Sequence, residues 1–157
     1  MISIMHRESF EMIAKLMLLR GILAIFLLLI GATTAQSDTL DDFATASGLR
    51  HIREFRGTVM ALHHHDGLPR ELYVTKREAR GLGWRPGDDI CPWLGGRMIG
   101  GDRFDNRERA LPDGQTYHEA DLEEEDCGHR GPKRLIYDES GDIWMTVDHY
   151  QSFQKVP

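Results

Sequence analysis

Glu119, in TYHEADL, and His149, in VDHYQSF, are of the side-chain types that carry out paired proton transfers. Arg130 and Arg134 lie between them in the chain. On opposite sides of a phosphodiester, the carboxylate would take a proton from an attacking hydroxyl. The imidazolium would give one to the leaving oxygen, and the arginines would stabilise charge building on the phosphorus oxygens. Plainer readings exist. A lone Glu in a strand is commonly solvated and a lone His in a turn is commonly structural, so spacing alone leaves both open. A second polar cluster, FDNRE at Phe104 to Glu108, follows the glycine-rich IGGD. An aromatic, an amide, a fixed cation and a carboxylate side by side make either a solvated turn or a binding loop.

These residues need elements to hold them. FRGTVMALHHHDGLP can form a short helix ended by Gly67 and Pro69. VTKREARGLGW has a clear start signal: Thr75 and Glu78 form a capping box, Ala79 and Leu82 mark the inner face, and Gly83 stops the helix. RPGDDICPWLGGRM is turn-rich, with room for one helical turn. Short strand patterns follow in RMIGGDRF, QTYHEADLE, KRLIYDE, DIWMTVD and QSFQKV, and IGGD reads as a bend entering the sheet. Helices first and strands afterwards predict an α+β fold, with helices packed on one face of an antiparallel sheet. His118, next to Glu119, would face the other side of that sheet. Trp84 and Trp144 read as core. His63 to His65 read as a helix end, because consecutive histidines on a helix diverge.

The N-terminal stretch differs from the rest. Lys15 and Arg20 precede an apolar run from Gly21 to Gly31, and Thr33–Ala35 fits a small-x-small cleavage site. The pattern predicts a signal peptide over residues 1–35, export to the extracellular space or periplasm, a flexible lead over 36–54 and one domain over 55–157. A retained anchor over Met12–Ala35 is the alternative, interrupted by two cations. Without residues 1–35 the chain has 122 residues and a formal charge of −7. An acidic surface does not attract polyanions at long range, so phosphate chemistry would need a local basic cleft. Two cysteines, Cys91 and Cys127, read as a disulfide in an exported chain, worth about 3.5–4 kcal/mol in the chain-entropy model. Free thiols and half a metal site are the alternatives.

The blocks LPRELYVTKREARGLGW, IGGDRFDNRERALP, TYHEADL, KRLIY and TVDHYQSF occur in this order from about Phe55 to the C-terminus. In them the chain resembles the barnase family of secreted, guanyl-specific bacterial ribonucleases. The resemblance implies helices on a five-stranded antiparallel sheet, with Glu119 as general base for the ribose 2′-hydroxyl and His149 as general acid for the 5′-oxygen. It implies a 2′,3′-cyclic phosphate product, hydrolysed later with the roles reversed. Arg130, Arg134 and Lys76 would surround the scissile phosphate, with Asp121 and Asp102 supporting them and Tyr150 lining the cleft. FDNRE would be the guanine loop: the Glu108 carboxylate accepts from the base, backbone amides around Asn106 and Arg107 donate to O6, and Phe104 packs beneath.

The chain also departs from the pattern. The segment EEEDCGHRGPK after TYHEADL is about one residue longer than in the bacillus enzymes and more acidic, which makes Lys133 a substitute candidate for Arg130. The expected substrate is single-stranded RNA, with no metal or cofactor needed, because base, acid and charge stabilisers are all side chains. A monomer with a barstar-like intracellular inhibitor is the expected form. The rival readings are a non-catalytic RNA- or protein-binding module on the same fold and a metal-assisted nuclease acting on DNA.

Overall fold

The computed structural model describes residues 38–123 and 128–157. The signal-peptide segment and Cys127 therefore lie outside the described residues. Helix α1 spans Ile52–His63, α2 Lys76–Gly81 and α3 Cys91–Leu94. The strands are β1 (Tyr73–Val74), β2 (Met98–Phe104), β3 (Tyr117–Asp121), β4 (Arg134–Asp138), β5 (Ile143–Thr146) and β6 (Gln154–Lys155). They form one sheet in chain order. β1 pairs with β2 in parallel and every other neighbour pair is antiparallel. The α+β class holds, but the sheet is six-stranded and mixed rather than five-stranded and antiparallel. The extra strand is two residues long, too short for any alternation to announce it.

Helix α1 starts at Ile52, three residues before the expected Phe55. It buries Phe55, Thr58, Val59 and Leu62 on one stripe. That stripe joins Ala120, Leu135, Ile143 and Met145 from one face of the sheet. The expected flexible lead over 36–54 is instead ordered through its described part. The chain is helical through residue 46, Leu40 and Ala44 are fully buried, and Phe43 stacks on Phe55 with ring centroids 6.1 Å apart. A few apolar side chains among polar ones suffice when they meet a core already formed elsewhere.

α2 carries the predicted capping box. The Thr75 side chain accepts from Glu78 N, and the Glu78 side chain accepts from Thr75 N at 2.8 Å. α2 and α3 close a smaller core of Val74, Ala79, Trp84, Ile90, Leu94 and Ile99. The two glycines of IGGD lie inside β2 rather than before the sheet. Gly101 marks a bulge between Gly100 and Asp102, with φ +90. A Cβ on Gly100 would meet Tyr73 and Leu68 side-chain atoms at 2.7 and 2.8 Å, so only glycine lets β2 pass there.

Candidate active site

Strand alternation divides β3. Ala120 joins the α1 core, while Tyr117, Glu119 and Asp121 point to the opposite face. His118 faces the α1 side, stacked on Tyr137 with centroids 5.7 Å apart, as its neighbour relation to Glu119 predicts. Register then builds two rows on the outer face. Asp102, Glu119, Ile136 and Trp144 align across β2 to β5, and Asp121, Arg134 and Thr146 align across β3 to β5.

Glu119 is 7 % exposed. Its Oε1 accepts from Lys76 Nζ at 2.5 Å and its Oε2 from the Tyr150 hydroxyl at 2.7 Å. Lys76 is the first residue of α2, and its amide donates to Asp102 Oδ2 at 2.8 Å. Asp102 thus fixes the backbone from which Lys76 reaches the carboxylate. Burial pushes the Glu119 carboxyl up. The hydrogen bonds from Lys76 and Tyr150, with the charges of Lys76 and Arg130, outweigh burial and hold it below its ordinary value. Glu119 is therefore ionised at neutral pH, in the form that accepts a proton. Burial, with the Glu119 carboxylate beside it, pushes the Tyr150 phenol up to about 12.

Asp121 has no exposed surface. It accepts from Arg130 Nε at 2.7 Å and from Arg130 Nη2 at 2.5 Å, while Arg134 Nε lies 2.9 Å from its Oδ1. Arg134 also donates to the Gly131 and Lys133 carbonyls at 2.6 and 2.7 Å. One buried carboxylate therefore orients both guanidiniums, which is the condition for keeping such charges out of water. Arg130 thus holds the place beside Asp121. The substitute candidate Lys133 turns away, donating to Glu123 Oε2 at 2.6 Å and to the Gly48 carbonyl at 3.1 Å.

His149 is exposed, and with Tyr150 it occupies the left-handed region, φ +59 and +71. Such conformations cost about 1–3 kcal/mol each unless their surroundings impose them. Here they do. His149 N donates to the Pro132 carbonyl at 3.3 Å, and Tyr150 N donates to Thr146 Oγ1 at 3.0 Å. Thr146 in turn donates to Asp148 Oδ1 at 2.9 Å, which also accepts from Gln151 N and Ser152 N at 3.0 Å. The Ser152 hydroxyl and amide hold the Asp148 carboxyl down to about 2. Thr146 and Asp148 were not among the sequence candidates. Asp148 with Ser152 four residues on is a legible turn signal, whereas Thr146 has none.

Phe104 ends β2, and Asp105 to Glu108 follow it in a tight loop. Phe104 stacks on Tyr150 with centroids 5.4 Å apart and meets Phe153 edge-on at 6.2 Å. Asn106 closes the loop through its side chain, with Nδ2 donating to Leu111 O at 2.7 Å and Oδ1 accepting from Leu111 N at 3.2 Å. Arg107 N donates to Asp105 O at 2.8 Å, so that amide reaches a base only when this contact opens. The Arg107 guanidinium lies 3.1 Å from Asp105 Oδ2, and Glu108 is exposed. Phe104 and Tyr150 connect this loop to Glu119, so both polar clusters share one face of the sheet.

Comparison with known proteins shows which family the chain is similar to. The model of the ribonuclease family matches residues 65–157. A ribonuclease of Bacillus intermedius is 34 % identical over 126 residues, covering 78 % of this chain and 76 % of that one. A ribonuclease of Heyndrickxia coagulans is 37 % identical over 108 residues, covering 67 % and 97 %. The guanyl-specific ribonuclease St of Saccharopolyspora erythraea is 38 % identical over 56 residues, covering 34 % and 55 %. The chain, with its buried Glu119 and paired arginines on one sheet face, belongs to the ribonuclease family.

Proposed function

We propose that this protein is a metal-independent endoribonuclease that cuts single-stranded RNA on the 3′ side of guanosine. The observation that carries this reading is the Glu119 carboxylate, buried and ionised between Lys76 and Tyr150, beside the two arginines that Asp121 holds. Glu119 takes the proton from the ribose 2′-hydroxyl. The 2′-oxygen attacks phosphorus, the bond to the 5′-oxygen breaks, and His149 protonates that oxygen. Lys76, Arg130 and Arg134 stabilise the charge on the non-bridging oxygens. The product is a 2′,3′-cyclic phosphate, which water opens with the two roles reversed.

Guanine preference is supported by the closed loop at Asn106, the exposed Glu108 carboxylate and the name of one relative. Glu108 accepts from guanine N1–H and the exocyclic amine, a donor pair that adenine lacks. Export, a monomeric state and an acidic intracellular inhibitor that fills the cleft belong to the same proposal. A secreted chain beginning near residue 36 by mass spectrometry would support export, and a chain retained in membranes would overturn it. A Cys91–Cys127 disulfide is supported by the flanking residues: Ile90 N donates to Gly128 O at 3.2 Å, and Asp89 lies 3.3 Å from His129. Two thiols alkylated without reductant would refute it.

The deciding experiment incubates the chain from residue 36 with GpU and ApU in EDTA, beside Glu119→Ala and His149→Ala. Cleavage of GpU far faster than ApU, lost in both variants, is the expected result. Folded protein without cleavage would replace this reading with a non-catalytic binding module.

A further inference from the structure

Residues 70–97 carry six Lys and Arg against four Asp and Glu, whereas residues 98–157 carry seven against fourteen. Three of the four acids of the first segment are occupied locally, and the fourth, Glu71, is exposed. Glu78 closes the capping box, Asp88 Oδ2 accepts from Arg85 N at 2.9 Å, and Asp89 lies beside His129. Arg77, Arg80 and Arg85 are exposed. Among the described residues the exposed large apolar side chains are Leu82 and Trp93, 47 % and 41 % exposed, in this same segment. The Trp93 ring lies over Gly83, whose φ is +111 and where any Cβ would run into the indole. Arg97 is held beside it by donating to Leu94 O at 3.1 Å.

A cavity of about 580 Å³ adjoins this patch, lined in part by Arg70, Thr75, Leu82, Arg97 and Gly101. The cavity is also lined by Gly100 and by Tyr137 on the α1 side of the sheet, across from Glu119, so the patch joins the cleft along α2, through Lys76, rather than through the cavity. From Lys76 to Leu82 the path along α2 is about 9 Å.

We propose that Leu82, Trp93 and the guanidiniums of Arg70, Arg77, Arg80 and Arg97 form a second contact surface for single-stranded RNA. It holds the strand beyond the nucleotides in the cleft, and so rests on the cleft reading above. An exposed indole stacks on any base, and the arginines take phosphates without reading sequence. In a chain whose remaining surface is acidic, a local positive strip decides where a polyanion can lie.

The test compares Trp93→Ala and the double variant Arg77→Gln/Arg80→Gln with the parent. GpU is measured against single-guanosine oligonucleotides extended on the 5′ or the 3′ side. Turnover of GpU should stay unchanged, while kcat/KM on one of the longer substrates falls about tenfold. The double variant should also flatten the salt dependence of that rate, its log–log slope changing by about 1.4 for two lost phosphate contacts. Fluorescence anisotropy with a strand carrying 2′-deoxyguanosine, which cannot be cut by this route, reads the surface even if the parent does not cleave GpU. Weakened binding in both variants would then support the surface while the cleft reading failed. If Trp93→Ala lowers GpU turnover as well, the double variant on the exposed helix face decides. Oligonucleotide turnover and binding equal to the parent in the double variant would overturn the proposal. So would loss of binding to anionic phosphatidylserine vesicles with oligonucleotide behaviour intact, which would make the patch a membrane contact.

Discussion

Glu123 gives the sharpest test of how this chain is held together. Helix α1 has no side-chain cap of its own at His51. The amides of the N-cap His51 and of Arg50 before it go to a carboxylate more than 70 residues away, Glu123 Oε1, which accepts from His51 N at 2.7 Å and from Arg50 N. Oε2 accepts from Lys133 Nζ at 2.6 Å. The Glu123 side chain is 3 % exposed and that of Lys133 is 18 % exposed. Glu123→Ala would take the carboxylate from a half-buried ammonium, which keeps the Gly48 carbonyl alone, and from the two amides leading into α1. Breaking a buried pair in this way costs about 3–5 kcal/mol. Glu123→Gln keeps the acceptor for the amides and loses the charge, so about 1–3 kcal/mol is expected.

The assay is urea unfolding followed by tryptophan fluorescence, with the slope held common between variants. The pH dependence supplies a second readout. Burial pushes the Glu123 carboxyl up, but Lys133 and the two amides outweigh it and hold the group below its ordinary value of 4.5. A carboxyl lowered by folding adds stability that is fully present above its unfolded value and is lost as pH falls through the folded one. The gap between parent and Glu123→Gln should therefore be constant above about pH 5.5 and shrink below 4.5. An Ala variant within about 1 kcal/mol of the parent would refute the reasoning. So would a gap that ignores pH.

Three further outcomes follow from the same contacts. Asp121→Asn should lower stability by about 3–5 kcal/mol and nearly abolish GpU cleavage, because Arg130 and Arg134 lose their shared anion; urea unfolding and initial rates check both. Thr146→Val removes the acceptor of Tyr150 N, so kcat on GpU should fall about tenfold with little change in KM, as expected when a mispositioned His149 and Tyr150 still bind substrate. Leu40→Ala should destabilise by about 2–5 kcal/mol in urea, and an effect near zero would show that the segment before α1 is a loose lead after all.

Local rules carried much of the reading. The capping box at Thr75 and Glu78 involves four consecutive residues, so its chemistry is written in the sequence itself. Alternation in TYHEADL separates Glu119 from His118 without help from any other strand. The helices-then-strands order predicts the α+β class, and the ordered polar blocks carried the resemblance to ribonucleases.

The tertiary structure alone decided the features whose partners lie far apart in the chain. β1 exists because Tyr73 and Val74 meet Met98 and Ile99, not because two residues prefer strand. Leu40 and Ala44 are core because α1 and the sheet offer them an apolar surface. The choice of Arg130 over Lys133 rested on which carboxylate each could reach, Asp121 or Glu123. The left-handed pair at His149 and Tyr150 depends on Thr146, whose place comes from pairing with Arg134. Residue types and short spacings are local and can be read along the chain. Register, burial and the sharing of one carboxylate between two cations are set by contacts between distant segments, and only folding brings those together.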